Sequence, residues 1–440
     1  MGRLSKTAWM AIGTGFAAAA PTNPQGWGGG AILFVAWILL RAAVMGFLRY
    51  VRVGAAFERF AETVYILAGL GLVVLWRLDP PLAWRQAAWL ALGGALFVGM
   101  IAMLRDPNRL GRFTYTAGIS LVALLLFTAF FGHQAGGARS WIGWGDVRLE
   151  PVEFSKILLA WFLAGYLADY RQLRAAATAV VTSSSPEADV KGRPRSLRPT
   201  VLLTASAMIA LAVQRDVGAA LLMFSLLLLM MYAATGRVLY LLGGGVAGAA
   251  ALGLGAILFE HVRLRLAVWL DPWQSVSGIG YQSTQALYGL AYGGVWGRGL
   301  GEGFPGLIPA VTTDYVWVAV GEELGLLGMI ATLLLFALLV RTGFGIAARA
   351  NSDFTALLAT GLVGVIAIQV TAITAGVVRL LPLTGITLPF VSYGGSSMTS
   401  NFILLGILGA IARRAEESGE ERAKEREGQG KEAIPAEAQV

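Results

Sequence analysis

The sequence predicts an all-α polytopic membrane protein of twelve transmembrane helices, and three observations carry that reading. Hydrophobic residues make up 56% and charged residues 14% of the 440 positions, with a mean hydropathy of +0.67. Soluble domains carry about 25% charged residues, so this much apolar surface cannot be hidden in one water-facing core. Twelve apolar runs, separated by polar or basic stretches, approach the lengths that bilayer-crossing helices need. With both termini on one face, 24 of the 34 lysines and arginines fall on that face and 10 on the other, the bias of a cytoplasmic surface. The net charge of +8 therefore reports membrane orientation rather than a nucleic-acid footprint. Cysteine is absent and the two histidines, His133 and His261, have no ligand spacing, which excludes disulfides and argues against a zinc site. Glycine supplies 57 residues, about twice the usual share, as suits helices whose backbones approach closely in lipid.

In chain order, Arg3 and Lys6 precede a Gly/Ala-rich run that ends at Pro21. Residues 17–20 contain an Ala-x-Ala pattern, yet a retained span is expected. The next run, 31–48 with Arg41 inside it, leads to Arg49, Arg52 and Arg59 on the same side as the start. Ten further spans are expected near 60–77, 86–104, 113–131, 154–170, 199–213, 217–233, 238–258, 316–340, 354–377 and 398–412. The linker at about 171–198, rich in Ser, Pro and basic residues toward its end, reads as a flexible cytoplasmic loop. The tail 413–440, dense in Glu, Lys and Arg, reads as a solvated extension, helical at first.

Four polar stretches gather on the other face. The first, 132–153, contains Arg139, Trp141, Trp144, Arg148 and Glu150 and leads into a helix opening PVEFSK. Glu153 and Lys156 share a helical face three residues apart, and on spacing alone they form a helix-start ion pair behind Pro151. The second, Gln214-Arg215-Asp216, is either a tight turn or a set of polar groups facing a cavity. The third, about 260–315, holds Arg263, Arg265, Asp271, Gln282, Gln285, Arg298, Glu302 and Asp314. Its aromatic residues, among them Trp269, Trp273, Tyr281, Tyr288 and Tyr292, imply amphipathic pieces lying on the bilayer. Residues 301–306 fit G-x-G-x-x-G, but no strand precedes them and Pro305 spoils the helix they should open. Nucleotide binding is therefore rejected, and the glycines permit turns close to a headgroup or sugar. The fourth, 381–397, reads LPLTGITLPFVSYGGSS, with Pro382 and Pro389 breaking any helix. Gly394-Gly395-Ser396-Ser397 is either a turn offering backbone N–H groups to an anion or a re-entrant packing element.

Taken together, Arg139-Ser140-Trp141-Ile142 with Pro151 to Lys156, Gln214 to Gly218, Tyr281-Gln282 through Gly299-Leu300-Gly301, Thr313-Asp314-Tyr315 with Glu322-Glu323-Leu324-Gly325, and Leu388 to Ser397 resemble the SEDS family (shape, elongation, division and sporulation). The resemblance covers a ten-helix core at 60–412. Residues 1–59 form two extra N-terminal helices, as in a long form of the RodA elongation branch, which Gly301-x-Gly303-x-Pro305 and Ile308-Pro309 favour over FtsW. The long external loop then lies between the seventh and eighth core helices.

That resemblance implies a peptidoglycan glycosyltransferase that polymerises lipid II at the outer face of the bacterial cytoplasmic membrane, releases undecaprenyl pyrophosphate and serves cell-wall elongation and shape. Its partners would be a class B penicillin-binding protein (a transpeptidase), lipid II, the nascent glycan and the bilayer. Both termini would be cytoplasmic. The family's essential aspartate falls on Asp314, with Tyr315 where Phe is usual. Substrate-binding positions fall on Arg148, Glu153, Lys156, Gln214, Asp216, Tyr281, Gln282, Ser392, Gly394, Gly395, Ser396 and Ser397. Glu150 replaces the usual Gln before the proline, and Arg215 the usual Pro before Asp216, which alters the local charge balance.

The chemistry fits these residues. A carboxylate can deprotonate the attacking sugar hydroxyl. The pyrophosphate leaving group needs cations rather than a second carboxylate acting as acid. Arg148 and Lys156 are the leading cations, with Arg215, Arg263, Arg265 and Arg379 on the same face. A divalent cation, Mg2+ or Mn2+, is compatible with the pyrophosphate, though no ligand cluster in the sequence demands it. Without the family, Asp314 reads as a helix N-cap before the apolar run. Glu323, nine residues on and about 13.5 Å along an ideal helix, is too distant to share its proton transfer. A lipid II flippase and a non-catalytic scaffold for the transpeptidase are the alternative functions. A flippase needs a polar path to both faces, and the central segments carry few charges toward the inner one.

Overall fold

The computed structural model describes residues 2–20, 26–135, 138–144, 147–182 and 198–432, so most of the linker and the last eight residues of the tail lie outside the described residues. The described chain forms fourteen α-helices and three short strands. The helices are α1 (Gly2–Ala19), α2 (Gly26–Tyr50), α3 (Ala55–Leu78), α4 (Pro80–Met103), α5 (Thr114–Phe131), α6 (Val152–Thr182) and α7 (Arg198–Gln214). They continue with α8 (Val217–Thr235), α9 (Leu239–Leu258), α10 (Glu260–Leu270), α11 (Tyr281–Gly293), α12 (Val316–Ala347), α13 (Asp353–Val377) and α14 (Gly395–Glu432). Nine described segments are long and apolar enough to cross a membrane, and the protein is a multi-pass membrane protein. The twelve expected runs are helical over most of their described lengths, and the long connection contains two further helices, α10 and α11.

The ends of these helices follow local chemistry. Asp79 caps α4 by accepting the Leu82 amide, with Pro80 and Pro81 in the first turn. Asp216 caps α8 through the Ala219 amide at 2.9 Å. Ser352 and Thr355 close a capping box on α13. The bundle centre is made by α3, residues 152–168 of α6, α13 and residues 395–412 of α14, whose side chains are mostly buried. Close backbone approach is visible at Gly71 of α3, where a Cβ would strike the Val391 backbone. By contrast α9 has no buried residue and packs on α8 and α10.

Two features depart from a plain helical bundle. Residues 133–149 form a small antiparallel sheet in the order β1 (His133–Ala135), β2 (Ala138–Trp144), β3 (Val147–Leu149), with Gly143 opposite Arg148. The second is a break in α12 at Gly325 (φ 70°). The loop after α11 fills it: Arg298 and Gly299 donate to the carbonyls of Glu322 and Glu323, and the amides of Leu326 and Leu327 reach the carbonyls of Gly294 and Val295. Four backbone groups that lipid could not satisfy are thereby paired. The Arg77 guanidinium at the end of α3 clamps the same loop, pairing with Glu323 at 3.2 Å and donating to the Gly301 and Gly303 carbonyls.

Candidate functional site

At the end of the bundle that carries the sheet, three segments enclose a cavity of about 440 Å³ counting its open mouth, bordered by Glu150, Glu153, Lys156, Asp216, Gly385 and Thr387, and a fourth, the Asp314 turn, lies beside its Gly385 edge. Each segment has a physical reason to be there. The 150–156 segment opens α6, and the Glu150 amide donates to the Ser396 hydroxyl at 2.9 Å. The α7–α8 connection is the tight turn that was one of two sequence readings, with Arg215 in the left-handed region (φ 60°).

Asp314 ends a turn in which the amides of Thr313, Asp314 and Tyr315 all point at the Ala310 carbonyl. The 381–397 segment pins that turn. Tyr393 donates its amide to the Thr312 carbonyl at 2.8 Å, and the Ser392 hydroxyl donates to the Thr313 carbonyl at 2.5 Å while accepting the Leu388 amide. Gln86 of α4 holds this clasp from behind, donating to the Ser392 carbonyl and accepting the Gly394 amide. The N-cap of α12 is Tyr315, without a side-chain cap bond, so Asp314 is not a capping residue and its carboxylate is left for another use.

Asp314 and Arg265 both face Gly385, whose backbone lies in the left-handed region (φ 73°). A Cβ there would lie 3.6 Å from Asp314 Oδ2 and 3.9 Å from Arg265 Nη2. The Arg265 guanidinium is oriented by its Nη1, which donates to the carbonyls of Leu383 at 3.2 Å and Thr384 at 3.1 Å. Sequence reading names Arg265 only among several cations on that face.

Electrostatics follow from this crowding. Burial pushes the Asp314 carboxyl above the usual aspartate range, opposed by the Thr313 hydroxyl and the Arg265 charge. Asp216 is raised by burial, opposed first by the Ala219 amide and then by Arg265. Glu150 is raised well above an ordinary glutamate, by burial and then by the neighbouring charges of Glu153 and Asp216. Burial also takes the Tyr315 phenol up to about 12, so it stays neutral beside Ser283. His261 is lowered by burial and then by the charges of Arg215 and Arg265.

The remaining sequence-predicted residues divide into groups. Lys156 is 2% exposed and all three of its protons are committed, to Glu153 at 2.5 Å, Gln369 Oε1 at 3.1 Å and Asn401 Oδ1 at 3.2 Å. Ser400 adds a hydrogen bond to Glu153. Arg148 is exposed on β3. Gln214 is buried and donates to the Leu125 carbonyl at 2.7 Å. Tyr281 and Gln282 reach the carbonyls of Leu307 and Pro309, bracing the Asp314 turn from outside the cavity. Gly395, Ser396 and Ser397 begin α14, with Ser397 accepting the Thr387 hydroxyl at 2.7 Å. Among the described residues no three His, Asp or Glu side chains are grouped to hold a metal ion, and no step below runs through one.

A family profile described as "Cell cycle protein", FtsW/RodA/SpoVE, matches residues 37–417. The peptidoglycan glycosyltransferase RodA of Mycobacterium tuberculosis is 37% identical over 366 residues, 80% of this chain and 77% of that one. The stage V sporulation protein E of Bacillus subtilis is 29% identical over 357 residues, 80% of this chain and 87% of that one. Among solved structures, a chain from a peptidoglycan synthase complex that coordinates polymerization and crosslinking aligns with a TM-score of 0.66 and 26% identity, over 81% of this chain and 97% of that one. The rod shape determining protein RodA of Thermus thermophilus aligns with a TM-score of 0.56 and 25% identity, over 80% of this chain and 95% of that one.

Proposed function

Because the chain belongs to the FtsW/RodA/SpoVE family of cell cycle proteins, we propose that it is a peptidoglycan glycosyltransferase that polymerises lipid II, with Asp314 as general base. The observation that carries this is the convergence of Asp314 and Arg265 on the side-chain-free position of Gly385 at the cavity. Asp314 takes the proton from an acceptor sugar hydroxyl. The hydroxyl oxygen bonds to the anomeric carbon of the donor, and the bond from that carbon to the pyrophosphate oxygen breaks with its electron pair on the leaving lipid pyrophosphate. Direct displacement inverts the anomeric centre. Arg265, fixed by two carbonyls, stabilises the leaving anion. Lys156 instead holds the α6–α13–α14 contact, since its protons serve Glu153, Gln369 and Asn401.

Glu153 and Asp216 border the cavity around the donor, and the start of α14 braces it through Ser396 on Glu150 and Ser397 on Thr387. The cavity faces the outside of the cytoplasmic membrane, both termini are cytoplasmic, and a class B penicillin-binding protein works beside the chain. The test is lipid II polymerisation by the purified protein with its class B partner, wild type against Asp314→Ala and Asp314→Asn at equal folding and complex formation. Glycan strands from wild type alone support the reading; full activity in both variants removes Asp314 as base. Lipid II crossing vesicle membranes without polymerisation by an intact complex would replace the enzyme with a flippase.

A further inference from the structure

Between α11 and the first half of α12 lies a second cavity, of about 880 Å³ counting its open mouth. Its walls are Tyr288 and Tyr292, one turn apart on α11, and Phe304 and Leu307 from the loop that follows. These four are 50%, 42%, 64% and 61% exposed. Its floor is Glu322, only 3% exposed and six residues into α12. One oxygen of that carboxylate accepts the Phe304 amide at 2.6 Å. The other, Oε2, turns toward Gly289, where a Cβ would stand 2.9 Å away, and accepts no hydrogen bond among the described residues.

A carboxylate oxygen that no donor among the described residues reaches, opening onto a groove, is an acceptor ready for an occupant that brings a donor. A lipid acyl chain has none. A chain of N-acetylated sugars has hydroxyl and acetamido N–H donors along its edges and apolar ring faces that stack on exposed aromatic rings. At the rim the Arg298 guanidinium lies 3.9 Å from the Tyr292 ring centroid and offers a cation to anionic substituents of such a strand.

The groove is also continuous with the catalytic turn. Leu307 and Ile308 wall it, and the same segment runs on to Asp314. Tyr281 and Gln282 tie α11 to the Leu307 and Pro309 carbonyls, and Ser283 meets the Tyr315 hydroxyl at 3.3 Å. The geometry points to a glycan-holding subsite: the α11–α12 groove retains the N-acetylated sugar strand between successive additions, with Tyr288 and Tyr292 as the stacking platform and Glu322 as the hydrogen-bond acceptor. This rests on the polymerase reading above.

The experiment uses the full chain in nanodiscs and two readouts. Binding of a tetramer of β-1,4-linked N-acetylglucosamine, followed by saturation-transfer NMR, requires no catalysis. Tyr288→Ala, at an exposed position, and the near-isosteric Glu322→Gln should each weaken it by about tenfold, the loss expected for one charged hydrogen bond or one stacking platform. With the class B partner present, both variants should release shorter strands than the wild type. Oligosaccharide binding and strand lengths that match wild type in both variants would overturn the assignment. So would loss of a co-purified phospholipid, or of partner affinity, in variants that bind the oligosaccharide normally. Tyr288-dependent binding by a wild-type protein that makes no polymer would support the groove and remove the polymerase reading alone.

Discussion

Two groups of charges near the cavity behave in opposite ways. At the α6–α13–α14 contact, Lys156 and Glu153 are buried and every ammonium proton has an acceptor. Beside Gly385 at the cavity edge, Asp314 has the Thr313 hydroxyl next to it, and Arg265 spends one nitrogen on two carbonyls. A saturated buried pair has no capacity left for a substrate, and removing one member leaves a charge stranded. An unsaturated pair beside a cavity retains that capacity. Arg41 and Glu62 show the saturated pattern again between α2 and α3, paired at 2.6 Å with Trp9 over the guanidinium and donating to the carboxylate.

Substitutions test that contrast. The largest effect is expected at Asp314: Asp314→Asn should cut lipid II polymerisation by about 10²–10⁴-fold, the usual worth of a general base, with an unchanged unfolding temperature. Lys156→Met should do the reverse, costing about 3–5 kcal/mol of stability by stranding Glu153, and Lys156→Met combined with Glu153→Gln should recover most of it. A Lys156→Met protein that unfolds normally but is inactive would break the contrast.

Arg265→Gln should produce a smaller effect with a defined sign. Asp314 works deprotonated, its pKa is raised by burial, and Arg265 holds it down. Loss of that charge raises the pKa further, so the acid limb of the pH–rate profile should move to higher pH. A limb that stays in place would detach Arg265 from Asp314. The smallest change is Ser392→Ala, which removes the clasp on Thr313; about 1 kcal/mol of stability and a modest rate loss should follow, measured by thermal unfolding and initial rate.

Much of this was legible in the chain itself. Asp314, Glu153, Lys156 and the 388–397 segment stand out because ionisable groups and helix-breaking prolines are conspicuous against apolar runs. Other features were not visible. The three strands at 133–149 are too short for a period-two pattern to show among tryptophans and glycines. The break at Gly325 is hidden inside a continuous apolar run, since a glycine within a membrane helix has many uses. Asp314 looked like a cap because an Asp before an apolar run ordinarily is one; the turn around Ala310 shifts the cap by one residue.

The sequence by itself determined that the chain is a bundle of membrane-crossing helices and where most of them run. In lipid each backbone polar group must be satisfied within its own segment, so local hydrophobicity dictates local structure. Only the tertiary structure decided which polar groups face a substrate and which are already paired. Arg265, Asp314 and Gly385 are separated by tens of residues, and Lys156 meets Gln369 and Asn401 across more than two hundred. Those meetings depend on how helices pack, where long-range contacts select among polar partners that no local pattern distinguishes.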